Sequence, residues 1–197
     1  MRVWLLFAIV IGLLAAPCPA PAQDAAWPLY RNEKFGFEFR YPPAFVVGAY
    51  RDELPADLKA QLRRDGGALP FEHAVPLVER TRLGGRAPTA LPVGEITTIT
   101  VEPVEGVKLA AVSGLLRQIY KEAVREVTIG PHPVLRAPGF PGPYGDAAVF
   151  YLVPVAEGRA LQLYAHRQFL EPPRGATGYD RVIERIIVTL RFFPPRP

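Results

Sequence analysis

The sequence is poor in the side chains that enzymes most often use as nucleophiles. It contains one cysteine, Cys18, and one serine, Ser113, among 197 residues. A single cysteine forms neither an intramolecular disulfide nor a cysteine-based metal site, so the domain must be stabilised by burial of apolar side chains. Ser113 stands in "AVSGLL", within a predicted helix, whereas a nucleophile elbow requires Gly-x-Ser-x-Gly between a strand and a helix. We therefore expect Ser113 to be a packing or surface residue.

Histidine is also scarce, and the carboxylates form no recognisable catalytic pair. His73, His132 and His166 are not spaced at i and i+4, as the histidines of a helical zinc site are. His132 lies between two prolines and His166 shares a predicted strand face with Tyr164, which makes these two the best histidine candidates. The sequence has no phosphate-binding Gly-Lys-Ser/Thr loop. We predict a protein with no metal, no cofactor and no enzymatic activity.

The charge balance is mild. The formal net charge of the whole chain is +4, and the basic residues are spread along it rather than clustered. Nucleic-acid-binding proteins usually carry a basic stripe with interleaved aromatic residues. We therefore expect no nucleic-acid partner.

The first 22 residues have the layout of a secretory signal peptide. After a short basic start, residues 3–16 form an uninterrupted apolar run, and Ala20–Ala22 offers small residues where a signal peptidase cleaves. The run is shorter than the ~20 residues of a spanning helix, although retention as a membrane anchor stays the alternative. Cleavage after Ala22 removes Cys18 and leaves a single domain, residues 23–197, without a membrane span. We expect the protein to be exported, to the periplasm or the extracellular space.

Strict alternation marks the first strand of this domain. In "FGFEFRYP" an aromatic residue occupies every second position, which places one face of a strand in the core. We expect Phe37 and Phe39 to be core residues. Pro42 and Pro43 are expected to end the strand, because proline has no N–H to donate. A second apolar segment, Phe45–Tyr50, is predicted to pair with this strand as a hairpin.

Periodicity and turn residues predict the remaining elements. Two helices are expected over Pro55–Gly67 and Val107–Ala123, and a third after Thr177, which resembles an N-cap three residues before Asp180. The apolar stripes predicted to be buried are Leu109, Val112, Leu116, Ile119 and Ala123 in the second helix, and Tyr179, Ile183, Ile186, Ile187 and Leu190 in the third. Further strands are predicted over His73–Arg82, Gly94–Glu102, Val124–Ile129, Asp146–Val155 and Ala160–Phe169, the last two joined as a hairpin around Gly158.

The segment from Gly130 to Gly145 is predicted to be a loop, because proline and glycine recur too often for a continuous element. Loops of this length are uncommon in a compact domain unless they are functional or disordered. It contains Arg136, Phe140 and Tyr144, and arginine and aromatic residues dominate protein interfaces. We predict that these three residues contact a protein partner. A plain connection between two strands is the alternative.

The order of helices and strands predicts an α+β domain with helices packed on an antiparallel sheet. Tyr30–Phe45, which ends in "FGFEFRYPPAF", resembles the N-terminal signature of the PsbP/Mog1-like families. Asp180–Phe193 is similar to their C-terminal helix and hydrophobic tail, although Leu190–Phe192 departs from the small polar residue expected there. The resemblance implies an antiparallel β-sheet sandwiched between helices. It also implies an accessory or binding role, and it brings no catalytic residues.

Three functions are open at this point. The first is an exported, non-enzymatic accessory protein that binds an envelope protein partner or assists an envelope assembly. The second is a carrier of a small apolar ligand in a cavity between sheet and helix. The third is a hydrolase with an unrecognised carboxylate or histidine site. An apolar cavity favours the carrier, convergent buried carboxylates favour the enzyme, and an exposed apolar patch favours the partner.

Overall fold

The fold is built mainly from antiparallel β-strands. The computed structural model describes residues 26–50, 56–64, 72–91, 98–106, 108–138, 147–156, 158–166 and 174–196. The strands in these ranges are β1 (Leu29–Asn32), β2 (Phe37–Arg40), β3 (Phe45–Val47), β4 (Val75–Glu79), β5 (Thr98–Glu105), β6 (Arg125–Ile129), β7 (His132–Ala137), β8 (Ala147–Ala156), β9 (Arg159–His166) and β10 (Arg191–Phe192). The helices are α1 (Ala56–Arg64), α2 (Leu109–Tyr120) and α3 (Arg174–Thr189). No helix in the same ranges is long and apolar enough to cross a membrane.

The strands form two sheets. The smaller sheet has the order β1-β2-β10, and the larger has the order β3-β4-β5-β9-β8-β7-β6. Every pairing between these strands is antiparallel. The two longest ladders join β9 to β5 and to β8, so the β8–β9 hairpin lies at the centre of the larger sheet. The prediction of this hairpin around Gly158 is confirmed.

One face of the larger sheet packs against the smaller sheet and α3. Side chains from all three form a single apolar cluster, in which Phe37 and Phe39 of β2 are buried as predicted. The stripe predicted for the third helix is confirmed, because all five of its residues are buried. The helix begins at Arg174, three residues before Thr177, so the predicted N-cap is wrong. Thr177 lies inside the helix because the residues before it also adopt the helical conformation.

The opposite face of the larger sheet packs against α2 toward one end and against the segment 80–91 toward the other. Leu116 of α2 is fully buried in a cluster with Leu135, Phe150 and Leu152. The stripe predicted for α2 is only partly correct, because Ile119 is 45% exposed. At 100° of rotation per residue, Ile119 lies on a flank of the helix that the sheet does not reach.

The expectation of an α+β domain with its sheet sandwiched between helices is wrong. Within the described ranges, two sheets with ten strands dominate the fold, and the three helices are short. The smaller sheet, together with α3, covers the face of the larger sheet where helices alone were expected. The order of segments along the chain does not reveal this second sheet, because its third strand comes from the C-terminal residues Arg191–Phe192.

The pairing predicted for the two opening strands is also wrong. β2 pairs with β1, which precedes it, and with β10, whereas β3 pairs with β4 in the larger sheet. Pro42 and Pro43 follow the end of β2 as expected, but the chain then crosses to the other sheet instead of turning back. Alternation identifies the face of a strand that is buried, and it does not identify the neighbouring strand.

The segment predicted as a loop contains a strand. His132–Ala137 forms β7, which pairs with both β6 and β8. Gly130 and Pro131 make the two-residue turn between β6 and β7, with Gly130 at φ +58°. A positive φ at the first turn position is the type II′ geometry that suits a β-hairpin. The last part of the segment, residues 139–145 with Phe140 and Tyr144, lies outside the described residues.

The prolines within strands lie where a strand is paired on one side only. In each case the ladder to one neighbour ends before the proline, while the other neighbour still faces it. A missing N–H disrupts a ladder only where a neighbouring strand would accept its hydrogen bond. These residues are Pro76 in β4, Pro103 in β5, Pro133 in β7 and Pro154 in β8.

The glycine of the opening stretch contacts the C-terminal segment. Gly36 has φ +69°, and a Cβ at this position would overlap the carbonyl oxygen of Phe193. The Phe193 N–H donates to the Gly36 carbonyl at 2.9 Å, and the Arg196 N–H donates to the Glu33 carbonyl at 2.9 Å. The turn between β1 and β2 therefore packs directly on the residues that follow β10.

We predict that Gly36→Ala destabilises the protein more than Gly84→Ala does. Both glycines have positive φ, but a Cβ at Gly84 would meet nothing within 4 Å. The backbone strain alone is ~1–2 kcal/mol, and the overlap with Phe193 should add at least ~1 kcal/mol to the loss at Gly36. Urea unfolding of the two variants measures the difference. Equal losses would mean that the C-terminal segment moves away at no cost.

Candidate functional site

A groove lies between α2 and the outer strands of the larger sheet. It has a volume of about 710 Å³ and is open to solvent. The chain reverses between α2 and β6 through a 3-10 turn, Lys121–Ala123, so that the helix forms one wall and the sheet forms the floor. The lining residues on α2 are Leu109, Ala110, Ser113, Gly114 and Arg117, and those on the sheet are Glu126, Val127, Thr128, Pro133, Val134, Leu135 and Pro154.

The groove is mostly apolar, with its charges together at one end. The Arg117 guanidinium donates to Ser113 Oγ at 3.2 Å and to a Glu126 carboxylate oxygen at 3.0 Å. This ion pair links α2 to β6, and both of its side chains are more than half exposed. Exposed pairs of this kind stabilise a protein by less than ~1 kcal/mol. The apolar floor, which is formed by prolines and Leu135, is therefore the main surface that a ligand would contact.

Gly114 keeps the helical wall of the groove low. It occupies the middle of α2, where glycine is less favourable than alanine by roughly 0.5–1 kcal/mol. A Cβ added there would meet nothing within 4 Å, so no packing within the described residues requires a glycine. Ala110 and Ser113 are the other small residues on this flank. The flank is therefore accessible to a chain or ligand that enters the groove.

A polar cluster lies on the other face of the larger sheet, where α3 packs. Arg136 of β7 donates to the Tyr151 hydroxyl at 3.1 Å and to an Asp180 carboxylate oxygen at 2.9 Å. The Tyr151 hydroxyl also lies 2.9 Å from a Glu184 oxygen and 3.3 Å from the second Asp180 oxygen. Burial raises the pKa of Tyr151, and the charge of Asp180 adds to the rise against the opposing effect of Arg136. The neutral hydroxyl thus donates one proton toward two carboxylates.

One residue of the predicted partner-binding set, Arg136, belongs to this cluster. Arg136 is paired with Asp180 and is one-third exposed, at 33% of its side chain. It joins α3 to the sheet, on the face away from the groove. Phe140 and Tyr144 are not among the described residues, and the contact of all three residues with a partner stays a prediction.

A second polar cluster lies on the groove side of the sheet, over β5 and β9. Gln162 donates to a Glu102 oxygen at 2.6 Å, and the Tyr164 hydroxyl donates to the same oxygen at 3.3 Å. Nearby, the hydroxyls of Tyr50 and Thr100 are 2.6 Å apart. Burial, reinforced by the charge of Glu102, raises the pKa of Tyr164 well above its ordinary value. The tyrosine is therefore a neutral donor to the carboxylate, not a base.

The histidines with described side chains make structural contacts. His132 Nε2 lies 3.1 Å from the Leu190 carbonyl oxygen, and its ring meets Phe192 edge-on at 5.5 Å. The His73 ring packs on Phe35 with the ring centres 4.6 Å apart. Within the described residues, no three His, Cys, Asp or Glu side chains converge on a point that could hold a metal ion. His166 ends β9.

Comparisons with known proteins bring little. No family model matches the chain, and no curated protein matches it. A crystal structure from Bacteroides thetaiotaomicron VPI-5482 is similar at a TM-score of 0.45 and 10% identity, covering 84% of this chain and 48% of that chain. The chain thus spans about half the length of that protein. The resemblance to the PsbP/Mog1-like families stays a prediction.

The groove is not evident from the sequence, because β7, whose first residues lie in the floor, falls in a segment predicted as a loop. The Gly130-Pro131 dipeptide is the sequence feature that could have indicated β7. A glycine followed by proline between two β-rich segments suits a type II′ hairpin as well as a loop. The flank of α2 with Ala110, Ser113 and Gly114 was the second signal, since small residues on one side of a helix leave room beside it.

We predict different outcomes for two tyrosine-to-phenylalanine changes. Tyr151→Phe should lower the free energy of unfolding by about 1–3 kcal/mol, because Arg136 and two carboxylates lose a buried partner. Tyr179→Phe should leave it nearly unchanged, because within the described residues the buried Tyr179 hydroxyl has no hydrogen bond of good geometry, although Glu79 and Arg82 are close enough to influence its pKa. Urea unfolding at neutral pH tests both. A large loss in Tyr179→Phe would show that its hydroxyl binds a partner or an ordered water.

We also predict that stability falls at alkaline pH. Burial raises the pKa of Tyr151, and raises the pKa of Tyr179 to about 12. In the unfolded chain a tyrosine loses its proton near pH ~10. Between these values the unfolded state binds fewer protons than the folded state, so the free energy of unfolding decreases as pH rises. Below pH ~10 both tyrosines are protonated in the folded and in the unfolded state, so they add no pH dependence to the free energy of unfolding.

Urea unfolding from pH ~9 to ~12 measures this dependence. The decline should be shallower in Tyr179→Phe than in the wild type, because one group with a raised pKa has been removed. An unchanged slope in the variant would contradict the assignment.

Proposed function

We propose that this chain is an exported, non-enzymatic protein that binds a protein partner in the groove between α2 and β6. The observation that supports the proposal is the groove itself, which has a volume of about 710 Å³, a mostly apolar lining and an opening to solvent. An exposed apolar concavity is unfavourable unless something covers it, and such surfaces commonly mark interaction sites. The export part rests on the signal-peptide pattern of residues 1–22.

The chemistry of the groove favours binding over catalysis. Ser113 is the one hydroxyl on its helical wall, and the group that contacts it is the Arg117 guanidinium, which is a donor and not a base. Glu126 is paired with the same arginine. A nucleophile needs a neighbouring general base within hydrogen-bond reach. The groove instead combines an apolar floor with a charged end, as interfaces between proteins do.

A carrier of a small apolar ligand is the second candidate. The volume of about 710 Å³ lies within the ~300–1,000 Å³ typical of ligand pockets. Those pockets usually surround most of their ligand, whereas this groove is open along one side. The open side is better matched to a polypeptide that continues beyond the groove at both ends.

Crosslinking from two positions of α2 tests the proposal. Ala110 lines the groove, whereas Ile119 is 45% exposed on the opposite flank of the same helix. A photo-crosslinking amino acid at position 110 should form a discrete adduct with a protein of the cell envelope. The same group at position 119 should not. The recovered chain should have the mass of the form that begins at Gln23.

Two substitutions in α2, one in the groove and one on the other flank, provide a matched control. Gly114→Leu should reduce the yield of the adduct at least about tenfold, since a leucine side chain would project into the groove and obstruct the partner while the helix keeps its stability. Ile119→Ala removes an apolar side chain from the other flank and should leave the yield unchanged. Equal adducts from positions 110 and 119, or none from either, would refute the proposed groove function.

A further inference from the structure

The groove lies beside an open sheet edge. β6 is the last strand of the larger sheet, and among the described residues it pairs with β7 alone. An edge strand offers unpaired N–H and C=O groups to an additional strand. Because α2, the helical wall of the groove, leads into β6 through the Lys121–Ala123 turn and residues of both line the groove, the edge and the groove are adjacent.

The register of the hairpin determines which backbone groups point outward. Ile129 faces His132 across the two-residue turn, and such a closing pair is hydrogen-bonded in both directions. Pairs alternate along an antiparallel ladder, so Glu126 and Thr128 direct their N–H and C=O groups away from β7. Pro133 agrees with this register. It faces Thr128, at a position where β7 needs no N–H for its bond to β6.

We propose that the partner binds as an extended segment that adds a strand to β6. The inference rests on the proposed groove function and specifies the partner's conformation. The segment's backbone would bond to Glu126 and Thr128, and its side chains on the α2 side would enter the groove over Leu135 and Pro133. Addition of a peptide strand beside a flanking groove is an established mode of peptide recognition: backbone bonds give affinity and side-chain pockets give specificity.

The charges of the edge select the side chains of this segment. Arg125 of β6 lies directly opposite Arg136 of β7. Arg136 is neutralised by Asp180, whereas Arg125 is exposed and has no ion pair within the described residues. An acidic residue on the added strand beside Arg125 would form the missing cross-strand pair. Side chains alternate across a strand, so acidic residues on this side combine with apolar residues on the groove side.

Short peptides selected from a random display library against the full chain test the inference. The selected peptides should alternate acidic and apolar residues, and Gly114→Leu should weaken their binding at least about tenfold. Each peptide is then N-methylated at one backbone position at a time. Methylation at every second residue should weaken binding at least about tenfold, because those N–H groups bond to β6. Methylation at the intervening residues should have little effect.

Two substitutions of Thr128 test the same bonds from the protein side. Thr128→Pro removes the outward N–H, and Thr128→Ala keeps it while removing the side chain. We expect at least about tenfold weaker peptide binding for Thr128→Pro and nearly unchanged binding for Thr128→Ala. Urea midpoints show whether both variants fold. If Thr128→Pro does not, the methylated peptides decide the question with the wild-type chain.

The outcomes separate the two proposals. If Gly114→Leu weakens binding but methylation and Thr128→Pro do not, strand addition is wrong and the groove function stands. If peptides bind equally well to Gly114→Leu, or if no peptide is selected, both proposals fail. A dimer of the free chain that Thr128→Pro disrupts would mean that the edge pairs with a second copy. That result would also overturn the inference of an extended partner segment.

Discussion

Burial of the β8–β9 hairpin on both of its faces is the constraint on which the rest of the structure depends. Tyr151 and Val153 of β8 contribute to the core shared with the smaller sheet and α3, whereas Phe150 and Leu152 contribute to the core under α2. Alternate residues of one strand thus belong to two cores. Close packing on each side prevents either layer from shifting without exposing part of the hairpin. The positions of α2, α3 and the smaller sheet are therefore coupled through these two central strands.

The groove exists because α2 covers only part of the larger sheet. α2 packs over the centre of the larger sheet through Leu116, and it does not reach across β6. β6 is at one end of the larger sheet, and its outer edge pairs with no other strand among the described residues. Among the described residues, an apolar floor and the outward-facing backbone groups of β6 then lie side by side. The proposal of an extended polypeptide partner rests on this combination, because such a partner has both a backbone and side chains.

Polar side chains on the two faces of the larger sheet differ in burial and in pairing. On the α3 face, Arg136, Tyr151 and Asp180 satisfy one another in a partly buried network, and such networks favour a particular packing arrangement. On the groove face, the Arg117–Glu126 pair is exposed. At the edge of the sheet, Arg125 lies beside Arg136 on the α3 face and has no ion pair among the described residues. Arginine alone does not identify an interface. The distinction is whether the guanidinium already has its partner.

Local chemistry in the sequence determined which residues are buried and where several elements begin and end. Alternation in "FGFEFRYP" predicts burial of Phe37 and Phe39, and period 3.6 predicts the buried stripe of α3, because side-chain direction depends on backbone conformation within a few residues. Strand partners were decided only by the tertiary structure. β2 pairs with the C-terminal β10, and Pro133 is tolerated only because β8 does not pair there. The hydrogen bonds between β2 and β10 and between β7 and β8 join separate segments of the chain, so no local pattern contains them, and the second sheet and the position of β7 beside the central hairpin follow from them.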